Sequence, residues 1–224
     1  MSDYPAQPLA DGLSGAKSPA HYDAALHGAL DFFDELQTQI VQASGAKIVC
    51  RAGCSLCCGL RVDVFAHEVF LLAHHIRTRF SAGELAALLA RLAPHAERVR
   101  ALTPFEHATQ NITCPLLKAD GCCGVYEARP HACRRHHSLD FTACQFTYDH
   151  PTDLEFPGAH DLDLFRALTA AMQESFDVYA DFGYDATIYE LSTALTEALT
   201  APASWRRWRD KKRAFVKASV TPAA

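Results

Sequence analysis

Cys50-Arg51-Ala52-Gly53-Cys54-Ser55-Leu56-Cys57-Cys58-Gly59 places four thiols in nine positions, Cys50 to Cys58. Thiolates two or three residues apart converge on one centre when the backbone turns between them. Gly53 and Gly59 flank the run with the backbone freedom that tight thiolate loops use. Buried inert cysteines would instead be dispersed along an apolar period. The stretch therefore reads as a ligand-organised loop, and the fold follows from what stands on either side of it.

Upstream, Ser18-Pro19 has the form of an N-cap followed by proline at the first helical position. Tyr22, Leu26, Ala29, Phe33, Leu36 and Ile40 recur at steps of three and four, the apolar stripe of a long helix that Gly45 can end. Downstream, Phe65 to Phe80 carries Val69, Leu72 and Ile76 on one helical face. Ser81-Ala82-Gly83-Glu84 has capping-box spacing ahead of a Leu/Ala pattern from Leu85 to Leu102. Pro94 is expected to kink or split that helix, and the second and third helices to pack as a hairpin. Thr103-Pro104-Phe105-Glu106 is a further short helix start. Leu164, Phe165, Leu168, Met172 and Phe176 predict a helix between His160 and Tyr179, with others over Tyr189 to Leu199 and Trp205 to Phe215.

The second thiol-rich segment runs from Cys114 to Cys144. It reads Cys114-Pro115-Leu116-Leu117, then Gly121-Cys122-Cys123-Gly124-Val125-Tyr126, then Arg129-Pro130-His131-Ala132-Cys133-Arg134, with Cys144 beyond. No period is sustained here, so the segment is expected to be irregular, with a metal standing in for a core. One tetrahedral ion takes four protein ligands, and the two segments hold nine cysteines. Neighbours such as Cys57 and Cys58 are expected to point their side chains apart, which favours two centres. All-sulfur ligation suits Zn(II), Fe–S clusters and Cu(I) alike, and spacing does not choose among them.

The chain has 224 residues, 49% hydrophobic and 21% charged, with a formal charge of -5. That balance is an ordinary globular one, ample for a core, and disfavours nucleic acid as a partner. The first seventeen residues, Met1 to Lys17, lack an apolar signal region and read as a loose arm. No stretch reaches the length of a membrane span. A cytoplasmic setting is expected, where thiols stay reduced and clustered cysteines point to metal rather than disulfides.

Taken together, Cys54-Ser55-Leu56-Cys57-Cys58, Glu68 on the helix that follows, Cys114 to Leu117, Cys123 to Tyr126, Arg129-Pro130 and Cys133-Arg134 resemble the YkgJ-type cysteine-cluster family of zinc- or iron-chelating domains. The resemblance covers Cys50 to Cys144 and implies metal ligation by Cys50, Cys54, Cys57, Cys58, Cys114, Cys123 and Cys133, with Cys144 as an eighth member. Cys122 departs from the pattern, and three residues rather than two separate Cys50 from Cys54. The family's relation to flagellin lysine N-methylases implies an enzyme as an alternative, although no motif here accounts for methyl transfer.

The expectation is a mainly α chain: a helical scaffold carrying two irregular cysteine-rich metal-binding loops. Its divisions are an arm over 1–17, one helical metal-binding domain over 18–217 with the cysteine cluster at 50–144, and a frayed tail over 218–224. The cofactor is an Fe–S cluster or Zn(II)/Fe ions. A metal-dependent modification or redox enzyme, and a protein-interaction module with structural zinc, are the other classes. Arg129, Arg134 and Arg135 read as compensating thiolate charge ahead of binding an anionic substrate; His131, His136 and His137 as exposed loop histidines ahead of ligands in a mixed site; Asp63 and Glu68 as helix-start carboxylates ahead of a metal ligand or general base. Tyr126 could donate to a sulfur or pack beside the site. Cys133 with His136 or His137 could be drawn as a nucleophile and base, though so many thiols favour ligation. Trp205, Trp208 and the basic run Arg206 to Arg213 read as a terminal amphipathic helix with tryptophans inward.

Overall fold

A computed structural model describes residues 6–156 and 158–221. In chain order it has α1 (Ala6–Gly15), α2 (Pro19–Ser44), β1 (Asp63–Val64), α3 (Ala66–Arg79), α4 (Ala82–Arg100), α5 (Pro104–Ala108), α6 (His131–Arg135), α7 (Phe141–Asp149), α8 (Leu162–Asp181), β2 (Tyr189–Glu190), α9 (Leu191–Thr200) and α10 (Ala203–Arg209). The chain is mainly α, and β1 and β2 form the only sheet among the described residues.

The helix boundaries follow the local chemistry. The Ser18 hydroxyl accepts from the His21 amide at the start of α2, and Gly45 closes the helix in the left-handed region at φ 65°. Ser81 and Glu84 form the expected reciprocal cap on α4, and Thr103 with Glu106 does the same for α5. Pro94 lies inside α4, and the helix continues through it to Arg100. The expected split does not occur, because Leu88, Leu92, Ala96 and Val99 on both sides of the proline hold one buried face against the core.

At the centre is α3, with Val69, Leu72, Ala73 and Ile76 buried. It does not pair with α4 as a hairpin. Instead α9 packs against both helices, its Leu191, Ala194, Leu195 and Ala198 filling the space between them. The short β1–β2 ribbon pairs Asp63 with Glu190 and Val64 with Tyr189 in antiparallel register, delivering α9 to that place. A second apolar cluster of Phe33, Leu164, Leu168 and Ala171 joins α2 to α8.

Both ends depart from expectation. Ala6–Gly15, read as part of a loose arm, is helical, and Leu9 and Leu13 are buried against the core that α2 and α8 also build. Residues 218–221, read as frayed, return to the ribbon: Glu190 N–H donates to Ser219 O at 2.9 Å and Thr221 N–H to Ile188 O at 3.0 Å. The rest of those two segments, 1–5 and 222–224, lies outside the described residues. α10 stops at Arg209, before the expected Phe215. Its Trp208 is buried and Trp205 half-buried among Phe70, Tyr22 and Tyr184, while Arg206, Arg209 and Lys211 to Arg213 face water.

Candidate metal centre

Neither cysteine segment has a hydrophobic period of its own, and backbone hydrogen bonds shape them instead. In the first, Cys54 N–H donates to Arg51 O at 3.1 Å, and a 3-10 turn over Leu56–Gly59 carries Cys58 N–H to Ser55 O at 2.9 Å. In the second, Lys118 N–H to Cys122 O and Gly124 N–H to Leu116 O, each 2.9 Å, fold residues 116–124 into a small hairpin. Cys133 then sits in the single-turn α6 and Cys144 in α7.

The two segments are laced together. Cys114 N–H donates to Cys58 O at 2.8 Å, and Val49 N–H donates to Ser138 O at 3.0 Å. Gly121, at φ 78°, lies so close to Gly53 that a Cβ on it would stand 2.9 Å from the Gly53 carbonyl oxygen. Only a glycine fits that approach. Thiols far apart in sequence are thereby brought within electrostatic reach of one another.

Their mutual influence sorts them into two groups. Burial raises the Cys50 thiol above its usual range, and the neighbouring Cys57, Cys144 and Cys54 add to the rise. Burial pushes Cys133 well up, reinforced by Cys114, Cys57 and Cys123. Burial carries Cys114 to about 11 and also raises Cys123, with Cys57 contributing. Cys57 belongs to both groups, and it is raised first by a hydrogen bond with Cys58, then by burial. The adjacent pair expected to diverge therefore interacts, both residues lying on the one 3-10 turn Leu56–Gly59. Of the eight sequence-derived ligand candidates, Cys50 feels Cys54, Cys57 and Cys144, while Cys133 feels Cys57, Cys114 and Cys123. Cys122 N–H donates to the Asp120 carboxylate at 2.9 Å.

Other residues take roles the sequence did not show. Arg129 is the guanidinium that favours the thiolate forms of Cys57 and Cys123, and it also lies 3.9 Å over the exposed Tyr126 ring. Tyr126 is thus a stacking partner of Arg129. Arg134 does not compensate thiolates: it is buried, paired with Asp34 of α2, and donates to the carbonyls of Arg129, at 2.7 Å, and Glu127. Arg135 bonds the Thr169 hydroxyl on α8. Asp63 pairs with Arg61 and Thr221.

The histidines read as exposed include two that are buried, His131 and His137. His137 Nδ1 lies 2.9 Å from Arg135 O and its Nε2 accepts from Asp161 N–H at 3.0 Å, so both ring nitrogens are committed to structure. His136 stands beside His160, ring centroids 5.2 Å apart, and burial lowers it to about 4. With Cys57 and Cys144 these two line a cavity of about 270 Å³. Glu68 starts α3 as expected, its carboxylate accepting from Phe65 N–H at 2.8 Å. It also accepts from the His131 amide at 2.7 Å and meets His131 Nδ1 at 3.0 Å. Burial would raise this carboxyl, but His131 outweighs that and brings it down to about 2. Burial holds the adjacent His67 imidazole neutral, at about 3.

The donor chemistry fits a soft or borderline cation. Clustered thiols pushed up by burial and by each other are relieved when a cation takes the place of their protons. A raised thiol is the opposite of an activated nucleophile, and the rise at Cys133 favours ligation over nucleophilic chemistry there. Among the described residues no three sulfurs lie within 4.8 Å of one another, whereas four thiolates on one tetrahedral ion would stand about 3.8 Å apart.

Residues 49–152 match the model of the CxxCxxCC family, whose description reads "Putative zinc- or iron-chelating domain". The matched stretch contains all nine cysteines, so this part of the chain is similar to that family, and metal binding is the activity its description carries. No curated protein and no solved structure matches the chain. Among the described residues, no helix is long and apolar enough to cross a membrane.

Proposed function

We propose that this protein binds zinc or iron, as ions or as an iron–sulfur cluster, through Cys50, Cys54, Cys57, Cys58, Cys114, Cys123, Cys133 and Cys144. The observation that carries the reading is the lacing of the loops, above all the Cys114 N–H to Cys58 O bond of 2.8 Å, which holds the 50–58 and 114–144 segments against each other. Cys57 influences thiols of both groups, which suits two centres or one polynuclear centre with outlying ligands. On binding, the loops either tighten around single ions or seat a cluster whose own sulfides span the wider separation.

Alkylation footprinting read by mass spectrometry tests the assignment. The eight thiols should be protected in the loaded protein and reactive after chelation, with Cys122 reactive in both. Cys114→Ser should expose Cys123 and Cys133 while Cys50 and Cys144 stay protected. Equal reactivity of all nine with and without metal would remove the proposal.

The cavity beside Cys57 and Cys144, with His136 and His160 on its wall, favours a second reading: a metal-dependent enzyme acting on a small molecule held there. Filling the cavity with Ala143→Phe should then abolish turnover or small-molecule binding while leaving metal content unchanged.

A further inference from the structure

Outside the thiol groups, one buried constellation is not used by the reading above. His67 and Glu68 are consecutive in the first turn of α3, and His131 opens α6 directly after Pro130. Their exposures are 4%, 3% and 2%. Each offers one ligand atom, and these atoms all lie within 4.8 Å of one another. No other such set of three occurs among the described residues.

A hydrogen-bonded pin between α3 and the second cysteine loop accounts for part of this. The Glu68 carboxylate receives the His131 amide and faces Nδ1. The pin does not account for the rest. It leaves His131 Nε2 buried with no hydrogen-bond partner, an arrangement that native interiors rarely tolerate. Nor does it need a second imidazole at the same point, yet His67 is held there by stacking on Tyr179 at 3.7 Å between centroids. His131 is held in turn against Phe33, 4.6 Å away and at a steep angle. Aromatic walls fix both rings, so their positions do not depend on an ion to assemble them.

Two imidazoles and one carboxylate form a ligand set of borderline hardness. It suits a divalent first-row cation such as Zn(II) or Fe(II), and it leaves coordination positions open. With an ion bound, the lone pairs that the pin leaves over have a use, and the carboxylate offsets half of the ion's charge. We propose that His67, Glu68 and His131 are a binding site for one divalent transition-metal ion, separate from the thiolate centre.

The two kinds of site can be told apart in one sample. Metal-depleted full-length protein reloaded with ¹¹³Cd(II) should give thiolate-bound resonances far downfield and one additional nitrogen/oxygen-bound resonance upfield. Total cadmium should fall by one equivalent in His67→Phe and in Glu68→Gln, with the upfield resonance lost and the thiolate resonances kept. His67→Phe leaves the Glu68–His131 pin and the stacking on Tyr179 in place, so it remains informative if Glu68→Gln fails to fold. Thiolate resonances alone in the wild type, or an upfield resonance that persists in His67→Phe, would overturn the assignment. An upfield resonance without thiolate resonances would support this site while refuting the cysteine reading.

Discussion

Arg134 and Asp34 form an ion pair whose two ends differ sharply: the arginine side chain is 3% exposed and the aspartate 49%. Intuition from exposure says that losing Asp34 costs little. The structure says otherwise, because Asp34→Ala leaves a guanidinium buried with two carbonyls and no counter-charge. Stranding one member of a buried pair costs about 3–5 kcal/mol; with the carbonyls of Glu127 and Arg129 still in place, about 3 kcal/mol is expected. Arg134→Met removes the buried charge but deprives those two carbonyls of their donor, at about 1–3 kcal/mol each when water cannot reach them. Glu127 lies at the surface, so the total should be about 2–4 kcal/mol. The double variant no longer contains a buried charge and should be about as stable as Arg134→Met alone, giving a coupling energy of about 3 kcal/mol. Urea unfolding followed by Trp205 and Trp208 fluorescence measures all four proteins. Arg134 adjoins Cys133, so Arg134→Met should also weaken metal binding about 10–100-fold. If Asp34→Ala unfolds within about 0.5 kcal/mol of wild type, or the two substitutions simply add, the reasoning fails.

Gly121→Ala places a Cβ 2.9 Å from the Gly53 carbonyl at a φ of 78°; it should lower stability by about 1–2 kcal/mol and loosen metal binding, as chelator competition would reveal. Glu190, buried, accepts from Ser192 N–H, Thr193 N–H and the Ser192 hydroxyl; Glu190→Ala should cost about 2–4 kcal/mol in urea titrations, with metal content per folded chain unchanged. In metal-free protein His67, lowered by burial to about 3, and Glu68, brought to about 2, titrate below their unfolded values of about 6.5 and 4.3. The unfolded chain therefore takes up these protons first, and the stability they hold is complete above about pH 6.5, that of His67 being lost as pH falls towards 3 and that of Glu68 below about 4.3, at up to about 1.4 kcal/mol per pH unit and group. Melting temperatures of wild type and His67→Phe should diverge in slope below pH 6.5; parallel curves would contradict this.

Where local chemistry specified an element, it was legible. Ser18, Pro19 and Gly45 bracket α2, the Ser81–Glu84 box starts α4, and clustered thiols with no period mark the two loops. Long-range covering was not. Periodicity says that Leu72 and Leu92 face inward, but not that α9, a hundred residues further on, lies between their helices. Leu9 and Leu13 are at helical spacing, yet two apolar residues in a polar segment make a weak signal, and α1 owes its place to packing. His131 stands in a run of arginines and prolines that reads as surface; its burial is set by Glu68, 63 residues earlier. Arg134 reads as one more loop cation until α2 supplies Asp34. His67 beside Glu68 does not by itself announce a site, since the third member, His131, comes from the second loop.

The most direct test of the account is the metal and acid-labile sulfide content, with the visible spectrum, of full-length protein purified without oxygen beside a Cys54→Ser, Cys57→Ser variant. The account predicts zinc or iron near stoichiometry in the wild type and a marked loss in the variant, with sulfide and visible charge-transfer bands if the centre is a cluster and neither if it is zinc. A wild type that is fully folded and free of metal would contradict it.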